Sequence, residues 1–213
     1  MILSSMKKNG FILTAFALAT TGSVALVQTF TAPEIAKQEQ RHLMRVLTQV
    51  IPQAQYDNEL YLDCTVSSAP ELGPNGPHVI YRARLQDTPV ALLVQHITPR
   101  GYSGNIDILS AVYNNGEIAG VRVTRHEETP GLGDKVELAK SDWITRFSGT
   151  VVTQEKDPAF NVQKDGGQFD QFTGATITPR AVVQSVNAAA WYARSNFDTL
   201  FAAPNHCQEA IDE

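Results

Sequence analysis

From Asn9 to Pro33 the chain runs for 25 residues without a charge. The centre of that run, Phe11 to Phe30 (FILTAFALATTGSVALVQTF), makes about 30 Å of α-helix, the thickness of a bilayer's hydrocarbon. Three readings compete for it. A buried helix of a soluble domain is disfavoured by the length and N-terminal place of the run. A cleaved signal peptide needs a short apolar stretch closed by a small-x-small site. Ala17-Leu18-Ala19 comes too early for that, nothing after Val27 suits, and no cysteine follows closely enough for lipoprotein processing. An uncleaved anchor is the favoured reading, although Thr14, Thr20, Thr21, Gly22, Ser23 and Gln28 leave the run only moderately apolar. Lys7 and Lys8 are the only charges ahead of Glu34. Positive charge before the anchor places the N-terminus in the cytoplasm and Thr31 onward outside, which in a bacterium means the periplasm.

Beyond the anchor, the remainder of this 213-residue chain suits one compact domain. With 43% hydrophobic and 18% charged residues a packed core is expected. Seventeen basic against 22 acidic residues give a net charge of −5, and no local basic cluster offsets it, so no nucleic-acid partner is expected. Two cysteines, Cys64 and Cys207, are too few for a disulfide-dense scaffold or a four-thiolate zinc site. Under the topology above both face an oxidising compartment. A disulfide between them and two separate thiols are both open at this point.

The pattern of elements reads as α+β with an antiparallel sheet and flanking helices. Thr31-Ala32-Pro33-Glu34 has the form of a helix start, and Ala36, Leu43, Leu47 and Val50 continue at near-heptad spacing until Pro52. The expected division is 1–8 cytoplasmic, 9–30 membrane anchor, 31–60 stalk or packing helix, and 61–213 exported domain. Residues 65–77, rich in Ser, Pro and Gly, read as a loop. Strand-like runs come next at His78–Arg84, Pro89–His96, Ile106–Tyr113 and Ile118–Thr124, with Asn114-Asn115-Gly116 as a hairpin turn and Gly101-Tyr102-Ser103-Gly104 as a tight loop. A helical stretch is expected near Val136 to Phe147. The clearest helix runs from Pro179 to Phe201, with Val182, Val183, Val186, Ala190, Ala193, Phe197, Leu200 and Phe201 on one face and Pro204 beyond it.

No constellation of catalytic side chains is visible. His126-Glu127 lacks the second histidine of a zinc protease, and the five histidines show no ligand spacing, so no metal is expected. There is neither a G-x-S-x-G elbow nor a G-x-G-x-x-G after a strand. Two segments remain. In Asp170-Gln171-Phe172-Thr173-Gly174-Ala175-Thr176-Ile177-Thr178-Pro179, small and hydroxyl residues crowd against a helix start, with Thr178 as N-cap and Pro179 as first helical residue. Thr176 then lies where free N–H groups favour an anion. In His126-Glu127-Glu128-Thr129-Pro130-Gly131-Leu132-Gly133-Asp134, glycines let backbone approach a flat ligand and Leu132 could pack on its face. Ordinary helix capping and a plain surface loop account for the same residues about as well.

The stretch Asp170 to Thr176 resembles D-x-x-[S/T]-G-A-T, the acceptor motif for covalent flavin attachment. Together with H-E-E-T-P-G-L-G-D-K upstream and Gly101-Tyr102-Ser103-Gly104, it resembles the G subunit of the Rnf (Rsx) electron-transport complex along the whole chain. The C subunit of the sodium-translocating NADH:quinone reductase is similar in plan. The resemblance implies an electron-carrying flavoprotein subunit of an ion-translocating, inner-membrane oxidoreductase. It implies FMN esterified through its phosphate to Thr176 by a flavin transferase, and other membrane subunits as partners. Thr173, Gly174, Ala175, Thr178, Gly101, Tyr102, Ser103, Glu128, Thr129, Gly131 and Leu132 are then the candidate flavin neighbours. No side chain need act as acid, base or nucleophile. A stand-alone periplasmic flavin reductase and a cofactor-free assembly protein remain as alternatives.

Overall fold

The computed structural model describes residues 2–207; Met1 and 208–213, the tail of the expected exported domain, lie outside the described residues. The chain divides into two units, one up to Leu43 and one from Met44 onward. Helix α1 (Ile2–Val50) begins in the first and ends in the second.

Within the first unit the stretch Asn9–Ala32 has a mean hydropathy of 1.9 and is long enough to cross a membrane. Five of its six hydroxyl residues turn their side chains back onto their own helix. Thr14 donates to the Gly10 carbonyl at 2.9 Å, Thr20 to Phe16 at 2.9 Å, Ser23 to Ala19 at 2.8 Å and Thr31 to Val27 at 2.9 Å. These bonds satisfy the hydroxyls without water, which an apolar surrounding demands. The expected new helix start at Thr31–Glu34 is corrected: α1 continues through Pro33 without a break. A proline removes one N–H, and intact turns on both sides carry the helix past it.

The second unit is built on a five-stranded antiparallel meander in the order β1 (Cys64–Ser67), β2 (His78–Leu85), β3 (Thr88–Thr98), β4 (Ile106–Tyr113), β5 (Ile118–Arg125). Four strands fall where the sequence pattern expects them. The β4–β5 hairpin turns at Asn114-Asn115-Gly116, with Gly116 at φ +84°. β1 corrects the expected loop at 65–77: four residues are too short to show alternation, and only pairing with β2 (Cys64 opposite Tyr81) makes them a strand.

Both faces of the central strands are covered, so Ala91, Leu92, Leu93 and Val94 are all buried. On one face Leu92, Val94, Ile108 and Val121 join Val182, Val183, Val186, Ala189 and Ala190 of helix α2 (Ile177–Ser195) in the main core. On the other, the backbone at Val50 lies so close to Gly120 that a Cβ there would sit 2.6 Å from the Val50 carbonyl oxygen. Leu47, Val50 and Ile51 are buried.

The expected single helix from Pro179 to Phe201 is corrected to two, α2 and α3 (Phe197–Ala202). Asn196 ends the first by folding its amide onto the Tyr192 carbonyl at 2.9 Å. The expected helix at Val136–Phe147 is corrected to two 3₁₀ segments, Gly133–Val136 and Asp142–Phe147, the second capped by Ser141. These segments carry an aromatic cluster. Phe147 stacks on Phe169 at 4.3 Å between centroids, and Trp143 meets Phe172 edge-on at 5.1 Å.

Cys64 and Cys207 form a disulfide, with Cα atoms 5.3 Å apart.

Candidate functional site

Three stretches of chain meet at the N-terminal end of α2, and two are turns shaped by proline or glycine. In Thr129-Pro130-Gly131-Leu132 the Leu132 N–H donates to the Thr129 carbonyl at 3.1 Å, with proline at the first central position and Gly131 at φ +79° at the second. Glycine belongs there because a side chain resists positive φ. In Phe172-Thr173-Gly174-Ala175 the Ala175 N–H donates to the Phe172 carbonyl at 3.1 Å, with Gly174 at φ +80°. The two turns approach each other: a Cβ on Gly174 would stand 3.6 Å from the Leu132 side chain. The third stretch, Gly101–Gly104, links β3 to β4.

The second turn is held from behind. Phe172 is buried in the aromatic cluster, and the Trp143 indole N–H donates to the Asp170 carbonyl at 2.8 Å. The Asp170 side chain accepts from Gln163 at 2.7 Å. The acidic residue of the motif therefore anchors the loop. Arg180 clasps Asp165 through two hydrogen bonds, at 2.6 and 2.9 Å, and holds that carboxyl below its usual range.

These segments enclose a cavity of about 320 Å³ lined by Tyr102, Glu128, Thr129, Leu132, Gly133, Gly174, Ala175, Thr176, Ile177 and Thr178. Of the residues expected from sequence, Tyr102, Glu128, Thr129, Leu132, Gly174, Ala175, Thr176 and Thr178 line it. Thr173 and Gly131 sit on the exposed tips of the two turns, and Gly101 and Ser103 stand behind the wall against Glu128. Sequence reasoning missed Gly133 and Ile177. The signal for Gly133 was its place in P-G-L-G beside Leu132; a solvent-facing isoleucine at a helix start gives none.

Thr178 is a correction. It is not the N-cap, because α2 starts one residue before it, at Ile177, with Thr176 in the cap position. The Thr178 hydroxyl is fully buried and donates to Glu128 Oε2 at 2.6 Å instead. A hydrogen bond donated to a carboxylate is stronger than one accepted from a neutral N–H, and the hydroxyl turns inward. The other Glu128 oxygen accepts the Ser103 N–H at 3.1 Å. Upstream, His126 Nδ1 accepts the Glu128 N–H at 3.0 Å, and its Nε2–H donates to Glu137 at 2.6 Å. Thr176 itself makes no side-chain hydrogen bond among the described residues.

The residues present fit FMN. A free hydroxyl stands at the start of a 19-residue helix, whose first N–H groups have no carbonyl ahead of them and whose dipole favours an anion. Tyr102 and Leu132, 69% and 43% exposed, offer apolar surface for a flat ring. Backbone packs so closely at Gly101 and Gly133 that a side chain would strike Glu128 at 2.7 Å.

Residues 101–190 match the FMN-binding domain family, and residues 1–50 match the RnfG N-terminal region, which spans α1. The G subunit of the ion-translocating oxidoreductase complex of Shewanella baltica is 48% identical over 208 residues, covering 97% of this chain and 98% of that protein. Its counterpart of the same name from Vibrio cholerae is 46% identical over 207 residues (97% and 99%), and that of Vibrio atlanticus 47% over 206 (97% and 99%). The architecture is thus an N-terminal apolar helix followed by an α+β FMN-binding domain. The chain belongs to the family of G subunits of ion-translocating oxidoreductase complexes.

Proposed function

We propose that this chain is the electron-carrying flavoprotein subunit of such a complex, with FMN joined through a phosphoester to Thr176. The observation that carries this reading is the Thr176 hydroxyl, unpartnered at the mouth of the cavity where α2 begins. Bound there, the flavin would supply two-electron acceptance and one-electron release. The chain's own part is to hold and insulate it. The first N–H groups of α2 face the charge of the phosphodiester, Leu132 and Tyr102 cover the ring, and Thr173, Gly174 and Ala175 shape the turn that presents Thr176. Glu128, Thr129 and Thr178 form the surrounding wall, with Gly101, Ser103 and Gly131 next to it.

In the same reading α1 anchors the protein in the bacterial inner membrane once, with residues 1–8 cytoplasmic, 9–30 in the bilayer, 31–60 as stalk and packing helix, and 61–213 as the periplasmic domain. A flavin transferase loads the FMN, and the other membrane subunits of the complex exchange electrons with it. A covalent tether suits a compartment without a supply of free FMN, because it removes dissociation.

The test is the mass of the purified chain made with and without a flavin transferase. One added FMN residue, mapped by peptide analysis to Thr176 and absent from a folded Thr176→Ala variant, is the expected result. Flavin on Thr173 or Thr178, or none on the wild-type chain, overturns the assignment.

A further inference from the structure

We propose that Glu128 is a positioning residue, whose buried carboxylate joins the three walls of the cavity and places a negative charge beside the flavin ring; this rests on the flavin reading above. Glu128 is 5% exposed, yet it is not paired with a cation among the described residues. Both of its oxygens act as acceptors, one from the Thr178 hydroxyl on α2 and one from the Ser103 N–H in the β3–β4 loop. Both contacts are ones a carboxylate accepts.

The other two walls come from residues 25 and 50 positions away from Glu128 in sequence, and among the described residues no strand ladder joins them at this end. Two glycines are spaced for this carboxylate. A Cβ at Gly101 would stand 2.7 Å from Oε1, and one at Gly133 2.7 Å from Oε2. The backbone on both sides therefore closes onto the carboxylate as far as atoms allow.

Burial of an unpaired carboxylate is costly, and a purely structural brace would serve as well with a neutral amide. A charge kept in this place acts on whatever the cavity holds. Reduction adds negative charge to a flavin, and a neighbouring buried anion opposes that addition. Glu128 thereby keeps the potential of the bound flavin low.

Two measurements test this. In the flavin-free chain, hydrogen exchange at the Ser103 amide should be slow in the wild type and in Glu128→Gln, which keeps an acceptor oxygen. It should be at least tenfold faster in Glu128→Ala. In the flavin-loaded chain, Glu128→Gln should raise the midpoint potential. Equal Ser103 exchange in wild type and Glu128→Ala overturns the brace. Equal potentials in wild type and Glu128→Gln overturn the electrostatic role while the flavin reading stands. A wild-type chain that takes up no flavin overturns that reading and, with it, the charge's role, while the exchange data judge the brace separately.

Discussion

Two glycines separated by one leucine meet different demands. Gly131 has φ +79° and open space where a Cβ would go, whereas Gly133 has ordinary φ but no room. At Gly133 a methyl would stand 2.7 Å from Glu128 Oε2 and 2.9 Å from the Thr178 hydroxyl. Gly133→Ala should therefore push these two apart, cost about 1–3 kcal/mol as overpacking does, and lower the flavin content of the purified chain. Gly149, remote from the cavity and at φ +79°, is the control: Gly149→Ala should cost about 1–2 kcal/mol through backbone strain alone and leave the flavin content unchanged. Denaturant midpoints and flavin absorbance per chain read both effects. His96 makes a second residue-scale case. It is buried between Ser185 of α2 and Ser110 of β4, at 2.8 and 2.9 Å. Burial, with a smaller push from His78, takes its pKa down to about 3 from an ordinary 6.5. Between those values the unfolded chain binds the proton and the folded chain does not. His96 therefore contributes stability that is whole above about pH 6.5 and lost as pH falls toward 3, at up to about 1.4 kcal/mol per pH unit. The denaturation midpoint of the detergent-solubilised chain should drop between pH 7 and pH 5, and less steeply in His96→Gln.

Among the elements, the short helix α3 and the tail behind it depend on side chains from the sheet. Arg82 of β2, only 3% exposed, donates to the carbonyls of Leu200, Phe201 and Ala203 and so satisfies the open end of α3. Asp63 balances its charge at 2.5 Å and reaches Arg84 at 2.7 Å, and Arg84 in turn lies 5.0 Å above the Phe201 ring. Asn205 bonds to both Cys64 and Leu62, and the Cys64–Cys207 disulfide closes the arrangement across 143 residues. Closing so long a loop limits the unfolded chain, and reduction should lower stability by about 4–5 kcal/mol on the chain-entropy account. Denaturant titration with and without reductant measures this, and thiol titration of the denatured, unreduced chain should find no free thiol. The same elements show what a pattern conveys. The four longer strands were legible as strand-like runs bounded by turn residues. β1 was not, because its four residues become a strand only through pairing with β2 and the tail. The break at Asn196 was hidden because the buried positions on either side, Ala193 and Phe197, keep the helical spacing across it.

At the scale of the molecule, the two lysines ahead of a 24-residue apolar stretch bear on orientation. An enzyme that works only in the cytoplasm, fused after Glu213, should be inactive, and a fusion that works only outside should be active. Strong cytoplasmic activity would reverse the topology and remove the periplasmic route for loading flavin. Whether the helix can lie in a bilayer turns on its threonines and serine. All of these hydroxyls except that of Thr21 bond within the helix, so the moderately polar composition leaves few of them unsatisfied in hydrocarbon.

The sequence alone determined the features that depend on neighbours in the chain: the length of the apolar run, the strand-like runs, the turn at Asn114-Asn115-Gly116, and the two motifs that carry the family resemblance. These arise from local sterics and from transfer of side chains out of water, which act residue by residue. Only the tertiary structure decided that the two motifs share one cavity, that Thr178 turns inward to Glu128 and leaves the cap position to Thr176, and that Cys64 meets Cys207. Each of these is a contact between distant segments, set by how the sheet, α2 and the aromatic cluster pack, and a hydroxyl or a thiol takes its partner from that packing.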